Sequence, residues 1–290
     1  MSMFIQLSVN GIAMGCIYGL VALGAAVIWS SVRALNFAQG DILMVGAYLG
    51  YTAMVLLDMP FWLSFVAMLI SSIILGLVFQ RVAYYPLRNK PFILVVVSTI
   101  GVSILLKNAA QNIWGNAPLS SPKLFKGMIE VAGIYIVPQH VFVIVMMLIC
   151  MCLLYALLNL TKLGKMMRAT ANDQEAASLM GIKVDRMIAI TFALSSCLAG
   201  IAGVLLGPIF YLEPYMGGMV TMRAFFATVI GGFGSIPGAV IGGIIVGLTQ
   251  VLAAAYVSSM YKDVIVFGLC VLFLILRPQG IFGETVGEKA

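Results

Sequence analysis

The sequence has 290 residues, of which 62% are hydrophobic and 9% are charged, and its mean hydropathy is +1.11. Soluble domains carry about a quarter charged residues, so this composition excludes an ordinary soluble enzyme or binding domain and indicates a protein embedded in a bilayer. Apolar runs recur along the whole length, which a single cleaved targeting segment at the N-terminus does not explain. We therefore predict an all-α, polytopic transmembrane helical bundle.

Most of the apolar runs have the length of a transmembrane helix, which needs about 20 apolar residues. In chain order, the candidate crossings are residues 9–30, 37–57, 61–79, 92–113, 141–159, 187–207, 237–256 and 264–276. A further run, 223–233, is too short to cross alone and continues into GGFGSIPG, which we interpret as a broken or half-crossing helix. The sequence thus predicts one transmembrane domain, residues 1–290, with eight or nine crossings.

The formal net charge is +6, and most of the basic residues lie in the connections between apolar runs. Cytoplasmic loops carry an excess of lysine and arginine, so this placement indicates membrane orientation, and we predict no nucleic-acid partner. Two connections are especially basic, with Arg81, Arg88 and Lys90 in the first and Lys162, Lys165, Arg168, Lys183 and Arg186 in the second. If both are cytoplasmic, the N-terminus and the loop 114–139 are external, and nine crossings put the C-terminus in the cytoplasm.

Glycine recurs at intervals of four residues within several apolar runs. Residues four apart share one face of a helix, and small ones let two helices approach closely in a membrane. The pattern predicts helix packing at Gly11, Gly15, Gly19, Gly46, Gly50, Gly203, Gly207, Gly238 and Gly242. Glycine-rich, interrupted stretches occur in both halves, NFAQGDILMVGAYLG and TVIGGFGSIPGAVIGG, which suggests an inverted repeat with a pathway between its halves.

Three polar residues, Asn36, Gln39 and Asp41, stand at the start of the second apolar run. Asn36 and Gln39 have the spacing of an N-cap and its capping-box partner. Asp41 suits the positive end of a helix, and we expect it to pair with Arg33 at the cytoplasmic start of this crossing. A second interpretation stays open, in which the three residues belong to a transport pathway or gate, because a carboxyl group inside a membrane is a functional candidate.

The sequence contains neither a G-x-x-x-x-G-K-[ST] phosphate-binding loop nor an H-E-x-x-H motif, so we predict no ATPase site, no metal site and no cofactor in this chain. Its one histidine, His140, lies near the outer edge of an apolar run and is interpreted as a boundary residue. Cysteines inside apolar runs behave as small buried apolar residues. We expect this of Cys16, Cys150, Cys152, Cys197 and Cys270.

The longest informative polar connection is residues 163–187, LGKMMRATANDQEAASLMGIKVDRM. Its middle predicts a short helix, with Asn172 as N-cap, Glu175 as capping-box partner and Gly181 as the C-terminal stop. The helix would expose a small, partly apolar surface made of Ala176, Ala177, Leu179 and Met180. Two interpretations follow, a helix lying on the bilayer surface or a docking helix for a cytoplasmic partner.

The run Glu175-Ala176-Ala177, three residues, and then Gly181 resembles the EAA-x-x-x-G loop of ABC importer permeases. Together with NFAQGD and ATVIGGFGSIPGAVIGG, it makes residues 6–282 similar, more narrowly, to branched-chain amino acid ABC importer permeases of the LivH type. Two departures stand out. Family members commonly have His-Gly-Glu where this chain has Gln39-Gly40-Asp41, and the broader Ile-x-Leu-Pro pattern lacks its proline at Ile190-Thr191-Phe192-Ala193.

The resemblance implies the remaining parts of an importer. The chain would work with a homologous second permease, two cytoplasmic ATPases that bind ATP and magnesium, and an external solute-binding protein, in the bacterial cytoplasmic membrane. Its loop helix would dock into a cleft on the ATPase, and the residues implied in coupling are Asn172, Glu175, Ala176, Ala177 and Gly181. The expected substrates are branched-chain or related aliphatic amino acids, although closely similar permeases carry urea and short amides.

Two other functions compete with a permease subunit. A stand-alone secondary transporter or channel would use Asp41 to couple an ion gradient and would need no ATPase. A membrane anchor for an enzyme complex would have no transport role, but it does not explain why glycine is so frequent inside the apolar runs. Transport of leucine by the isolated chain in response to a pH or sodium gradient would favour the secondary transporter.

Overall fold

The computed structural model describes residues 2–88, 90–123, 125, 127, 129–131 and 134–282. Within these residues the chain is mainly α-helical, with short π- or 3-10-helical segments at Thr52–Leu56, Gln80–Tyr84 and Tyr85–Leu87, and its two strands form one short hairpin. The helices are α1 Ser2–Val32, α2 Gln39–Tyr51, α3 Phe61–Phe79, α4 Phe92–Trp114, α5 Pro138–Leu160, α6 Lys162–Asn172, α7 Gln174–Leu179, α8 Val184–Leu206, α9 Met216–Gly231, α10 Ile236–Tyr256 and α11 Lys262–Leu276.

Six helices are long and apolar enough to cross a membrane, namely α1, α3, α4, α5, α8 and α10. Their strong hydropathy agrees with the apolar runs of the sequence, and the prediction of a polytopic, helical membrane protein is confirmed. The helices α2, α9 and α11 are shorter, with 13, 16 and 15 residues. Helix α2 gains length from a π-helical turn, Thr52–Leu56, which follows it directly.

The helix α1 lies at the centre of the bundle. In its most apolar window 89% of the residues are buried, against 22% in α3, 22% in α4 and 28% in α5. Helix α8 is also largely buried, with 72% of its window covered. The bundle therefore has α1 and α8 inside, while α3, α4 and α5 each turn an apolar face outward, as expected of helices that contact lipid.

The central helices pack through glycine. A β-carbon on Gly15 of α1 would lie 2.7 Å from the carbonyl oxygen of Gly243 of α10, and one on Gly46 of α2 would lie 2.6 Å from the Cα of Gly200 of α8. Such distances leave no room for a side chain, so the backbones themselves are in contact. Most of the glycines selected from their spacing lie at backbone contacts of this kind, whereas Gly19, Gly50 and Gly207 lie nearest to the side chains of Met147, Val204 and Ser121.

Residues 223–233 contain no break, whereas the alternative of a half-crossing helix is not contradicted, because the helix that contains them has only 16 residues. These residues belong to α9, which begins earlier, at Met216, and is continuous to Gly231. The stretch GGFGSIPG forms the turn from α9 to α10, because Gly232 and Gly234 adopt φ of 101° and 80°, a region that glycine occupies without steric cost. The side chain of Ser235 then caps α10 by accepting a hydrogen bond from the Gly238 amide, at 3.1 Å.

The predicted external loop, 114–139, contains the hairpin, whose strands β1 Ile129–Val131 and β2 Ile134–Ile136 pair antiparallel. Residues 124, 126, 128, 132 and 133 of this loop lie outside the described part of the chain. The loop is joined to the connection between α8 and α9 by a pair of backbone hydrogen bonds between Leu119 and Leu212, at 3.1 and 2.8 Å.

Burial of the cysteines only partly follows the expectation. Cys16, Cys150 and Cys270 are buried, and Cys197 is half-buried. Cys152 is exposed, so its predicted burial is wrong. The reason is its position two residues from Cys150 on α5, because residues two apart point to different sides of a helix and only one side of α5 faces the bundle.

Candidate functional site

The helix α2 begins halfway along the bundle, next to the middle of α8. The side-chain amide of Gln39, the first residue of α2, donates a hydrogen bond to the Ser195 carbonyl oxygen at 3.1 Å. Just before the helix, the Phe37 amide donates a hydrogen bond to Thr99 Oγ1 of α4 at 3.3 Å. Residues 33–38 therefore enter the bundle as a non-helical segment. Helix α2 starts inside the bundle, and not at the cytoplasmic edge where the sequence analysis placed the start of this crossing.

Asn36 does not cap this helix. The N-cap position is occupied by Ala38, whose side chain makes no cap hydrogen bond. Asn36 Oδ1 accepts a hydrogen bond from the Ala38 amide at 3.0 Å, and its Nδ2 donates to Gln39 Oε1 at 3.2 Å. The contact between Asn36 and Gln39 is thus side chain to side chain, and it differs from the predicted capping box because Asn36 forms a turn one step before the helix.

Asp41 is fully buried and lies against Lys107 of α4. The distance from Lys107 Nζ to Asp41 Oδ1 is 3.7 Å, and neither carboxylate oxygen accepts a hydrogen bond from a described residue. The expected pair with Arg33 is wrong, because Arg33 stays in the connection with φ of 51° and lines an open cavity. Sequence analysis missed Lys107, although a single lysine inside the apolar run 92–113 is a signal that could have found it.

The start of α2 also meets the start of α9. The Gly40 amide donates to Thr221 Oγ1 at 3.0 Å. A β-carbon on Gly217, in the first turn of α9, would lie 2.7 Å from the Gly40 carbonyl oxygen and 2.5 Å from Asp41 Oδ1. Helix α2 follows the end of α1 and α9 follows the end of α8, so two short helices that enter from different connections have their N-termini in contact.

A small cavity lies beside this meeting point. Its volume is about 30 Å³, and its lining includes Asn36, Gln39 and Thr221 together with the apolar side chains of Val21 and Phe225. A space of this size holds no more than about one water molecule. In this conformation the cavity is therefore too small for an amino acid.

A second polar network ties α1 to α9, α10 and α11. The buried Tyr18 hydroxyl donates to Gln250 Oε1 at 2.7 Å and accepts a hydrogen bond from Arg223 Nη1 at 3.1 Å. Arg223 Nη2 also lies 2.9 Å from Asp263 Oδ1. Sequence analysis treated Arg223 only as the edge of an apolar run, and no local pattern reveals these partners because Tyr18 and Gln250 are far apart in sequence.

The polar connection 163–187 contains two helices, α6 and α7, instead of the single short helix that was predicted. Asn172 ends α6, and the N-cap of α7 is Asp173, so the predicted cap at Asn172 is wrong. Asp173 Oδ1 accepts hydrogen bonds from the amides of Glu175 at 2.9 Å and Ala176 at 3.0 Å. Gly181 follows α7 with φ of 81°, which a glycine adopts readily after a helix.

The surface of α7 differs from the prediction at one residue. Ala177 is buried against the membrane helices, whereas Leu179 and Met180 are 89% and 84% exposed. Large apolar side chains at such exposure on a polar connection indicate a binding surface. Beside them lies a groove of about 910 Å³ that includes Glu175 and Arg88, and Arg88 forms an ion pair with Asp185 at the start of α8.

Metal binding finds no support in this geometry. Across the described residues, no three histidine, cysteine, aspartate or glutamate side chains lie close enough together to hold a metal ion. The candidate features are a buried polar site at the starts of α2 and α9 and an exposed surface on α7.

Comparison with known proteins identifies the family. Residues 7–274 match the family model for the permease component of branched-chain amino acid transport systems. The chain belongs to this family of permease components.

Full-length relatives agree with this assignment. The chain is 37% identical to the LivH permease protein of a high-affinity branched-chain amino acid transport system in Salmonella typhimurium, over 99% of this chain and 97% of the relative. It is 36% identical to LivH of Escherichia coli, with the same coverage, and 34% identical to BraD of Pseudomonas aeruginosa, over 99% and 98%. The similarity extends through α7 and the starts of α2 and α9.

Proposed function

We propose that the chain is the transmembrane permease subunit of an ATP-binding cassette importer for branched-chain or related aliphatic amino acids. The observation that carries this proposal is the similarity over 99% of the chain to permease proteins of high-affinity branched-chain amino acid transport systems. A stand-alone secondary transporter has no comparable support. Urea and short amides remain the competing substrates within the same importer class.

We propose nine crossings, with the N-terminus outside and the C-terminus in the cytoplasm of the bacterial inner membrane. Support comes from one open cavity of about 710 Å³, which is lined at the end of α1 by Trp29, at the end of α5 by Asn159, at the α9–α10 turn by Gly234 and after α11 by Pro278. Arg168 of the basic connection lines the same cavity. The positive-inside rule then makes this side cytoplasmic.

The proposed complex contains a homologous second permease, two cytoplasmic ATPases and an external solute-binding protein. ATP and magnesium bind the ATPases, and this chain contributes no nucleotide site. Helix α7 is the docking element, since Leu179 and Met180 are exposed on the basic, cytoplasmic side. The shape of α7 depends on Glu175, Ala176 and Gly181. The buried Ala177 holds α7 on the membrane helices.

Movement of the ATPases reaches the buried polar site through α8. Asp185 at the start of α8 pairs with Arg88 beside the docking groove, and Ser195 in its middle bonds Gln39. A shift of α7 would therefore be transmitted along a rigid helix to the starts of α2 and α9. Because the cavity there is narrow in this conformation, such a shift is required before an amino acid can pass.

Uptake in proteoliposomes tests the proposal. The complete complex, reconstituted with its binding protein and supplied with ATP on the ATPase side, is expected to accumulate leucine. Gly181→Pro and Glu175→Lys are expected to abolish uptake and weaken ATPase association, with membrane insertion intact. Uptake of leucine by the isolated chain under a pH or sodium gradient contradicts the proposal, and preferential uptake of urea or amides contradicts the substrate.

A further inference from the structure

The pair of Asp41 and Lys107 is incompletely bonded for two buried ions. The 3.7 Å between Lys107 Nζ and Asp41 Oδ1 is longer than a hydrogen bond, and neither carboxylate oxygen has a partner with good hydrogen-bond geometry, although the Ser103 side chain of α4 lies beside the carboxyl group. Ionic groups buried in a protein are normally paired through several hydrogen bonds. The unused bonding capacity of this pair therefore calls for an explanation beyond helix packing.

The two charges differ in accessibility. The side chain of Asp41 is 0% exposed, whereas that of Lys107 is 25% exposed. Lys107 extends over the first turn of α9, where a β-carbon on Gly218 would lie 3.4 Å from its Nζ. Anything that reaches this part of the bundle from outside the subunit contacts the cation first, and the anion only after Lys107 has moved.

The first turn of α9 adds to the positive character of this place. It contains no acidic residue, and the N-cap residue Tyr215 provides no side-chain cap. The backbone amides and the helix dipole at a helix N-terminus favour a negative charge. The buried carboxylate of Asp41, in contact with Gly217 of the same turn, is an anion already held there.

The neighbouring surface of α4 carries polar side chains among its exposed apolar ones. Asn108 and Asn112 are exposed on this helix, and the Gln111 side chain donates to the Tyr215 hydroxyl at 3.5 Å. Polar side chains on the outside of a membrane helix face a partner or an aqueous passage, because hydrocarbon cannot hydrogen-bond them. Lys107 therefore has polar neighbours on α4.

We propose that the Asp41–Lys107 pair is a transient binding site for the charged groups of an α-amino acid, which inserts between the two side chains. The substrate carboxylate binds Lys107 and the first turn of α9, and the substrate ammonium binds Asp41. Each ion exchanges one partner for another of the same sign, so no charge is left unpaired when the substrate enters or leaves. This inference rests on the proposed function and names the residues that receive the substrate.

The surroundings fit the aliphatic part of such a substrate. Thr221 binds the Gly40 amide next to Asp41, and it also lines the small cavity with Val21, Ala25 and Phe225. If this largely apolar cavity widened, it would accommodate a branched side chain beside Gly40, the residue next to Asp41. In the closed conformation Asp41 and Lys107 neutralise each other until substrate arrives.

The test removes both charges together, because an isolated buried charge would destabilise the protein for reasons unrelated to transport. Two double variants, Asp41→Asn/Lys107→Met and Asp41→Asn/Lys107→Gln, are reconstituted as complete complexes with ATPases and loaded binding protein. Leucine uptake and ATP hydrolysis are measured in the same vesicles. Lys123→Met, in the external loop, is the matched control and is expected to transport normally.

The proposal expects maximal leucine uptake to fall at least tenfold in the double variants, while hydrolysis stimulated by loaded binding protein stays within twofold of the unmodified complex. A purely structural pair predicts uptake close to normal in either double variant, and that result overturns the proposal. Failure of both double variants to assemble also overturns it, because the pair is then required for folding. If the unmodified complex itself moves no leucine, the proposed function fails. If the unmodified complex moves leucine and a double variant does so equally well, only the assignment of the Asp41–Lys107 pair fails.

Discussion

Gly40 and Gly217, the second residues of α2 and α9, contact each other through their backbones at the point where both helices begin. Helix α2 follows the connection after α1, and α9 follows the connection after α8, so the contact joins the two halves of the chain. The late glycine-rich stretch, GGFGSIPG, forms the turn after α9 and takes no part in this contact. The inverted repeat expected from the two glycine-rich stretches therefore stays a prediction.

Replacing Gly217 by alanine tests how tightly this contact is packed. A β-carbon there would lie 2.5 Å from Asp41 Oδ1 and 2.7 Å from the Gly40 carbonyl oxygen, so the two helix starts must separate. Overpacking of this kind costs about 1–3 kcal/mol. We expect a lower thermal unfolding temperature of the purified complex. Gly268→Ala is the control, because its β-carbon would meet no atom within 4 Å; equal destabilisation by the two variants would contradict the prediction.

Tyr18→Phe tests the network around the central helix. The change removes the hydroxyl that donates to Gln250 and accepts from Arg223. Leaving a buried amide oxygen unpaired costs about 1–3 kcal/mol, which we expect as a lower unfolding temperature with unchanged membrane insertion. Asp263→Asn serves for comparison, since the Asp263 side chain is 51% exposed and asparagine keeps a side-chain oxygen that can accept a hydrogen bond from Arg223. A larger effect of Asp263→Asn than of Tyr18→Phe would argue against this account.

The N-cap of the docking helix is the subject of a third prediction. Asp173→Ala removes the acceptor for the amides of Glu175 and Ala176, and loss of an N-cap destabilises a helix by about 0.5–2 kcal/mol. Because α7 has only 6 residues, we expect faster hydrogen exchange across it and reduced leucine uptake. Asn172→Ala is expected to leave both unchanged. A larger effect of Asn172→Ala than of Asp173→Ala would contradict the prediction and would support Asn172 as the N-cap, as the sequence alone suggested.

A fourth prediction concerns the exposed apolar surface of α7. Met180 and Met260 are each 84% exposed, but they lie on connections assigned to opposite sides of the membrane. We expect Met180→Gln to reduce co-purification of the ATPase subunits several-fold without lowering the unfolding temperature of the chain, because the side chain is not packed in the bundle. Met260→Gln, an identical change at equal exposure, is expected to leave the association intact. Normal association in the Met180 variant would remove this residue from the docking surface.

Local pattern predicts well where a single physical requirement dominates. Each of the six long helices had to be about 20 apolar residues to satisfy its backbone inside hydrocarbon, so these segments were visible in the sequence. Glycine-rich stretches likewise indicated close helix packing. The caps were less accessible, because Asn172 and Asp173 are equally suitable N-cap residues and the difference lies in where α6 ends.

The sequence by itself determined that this chain is a membrane-embedded helical bundle, that its basic connections share one side, and that its motifs resemble one permease family. Only the tertiary structure decided the partners of the buried polar groups. Asp41 is paired with Lys107 instead of the nearby Arg33, and Gln39 is bonded to Ser195, because residues 33–38 carry the start of α2 into the bundle. Such pairings depend on which helices pack together, and a buried charge takes whichever partner the packing brings within reach.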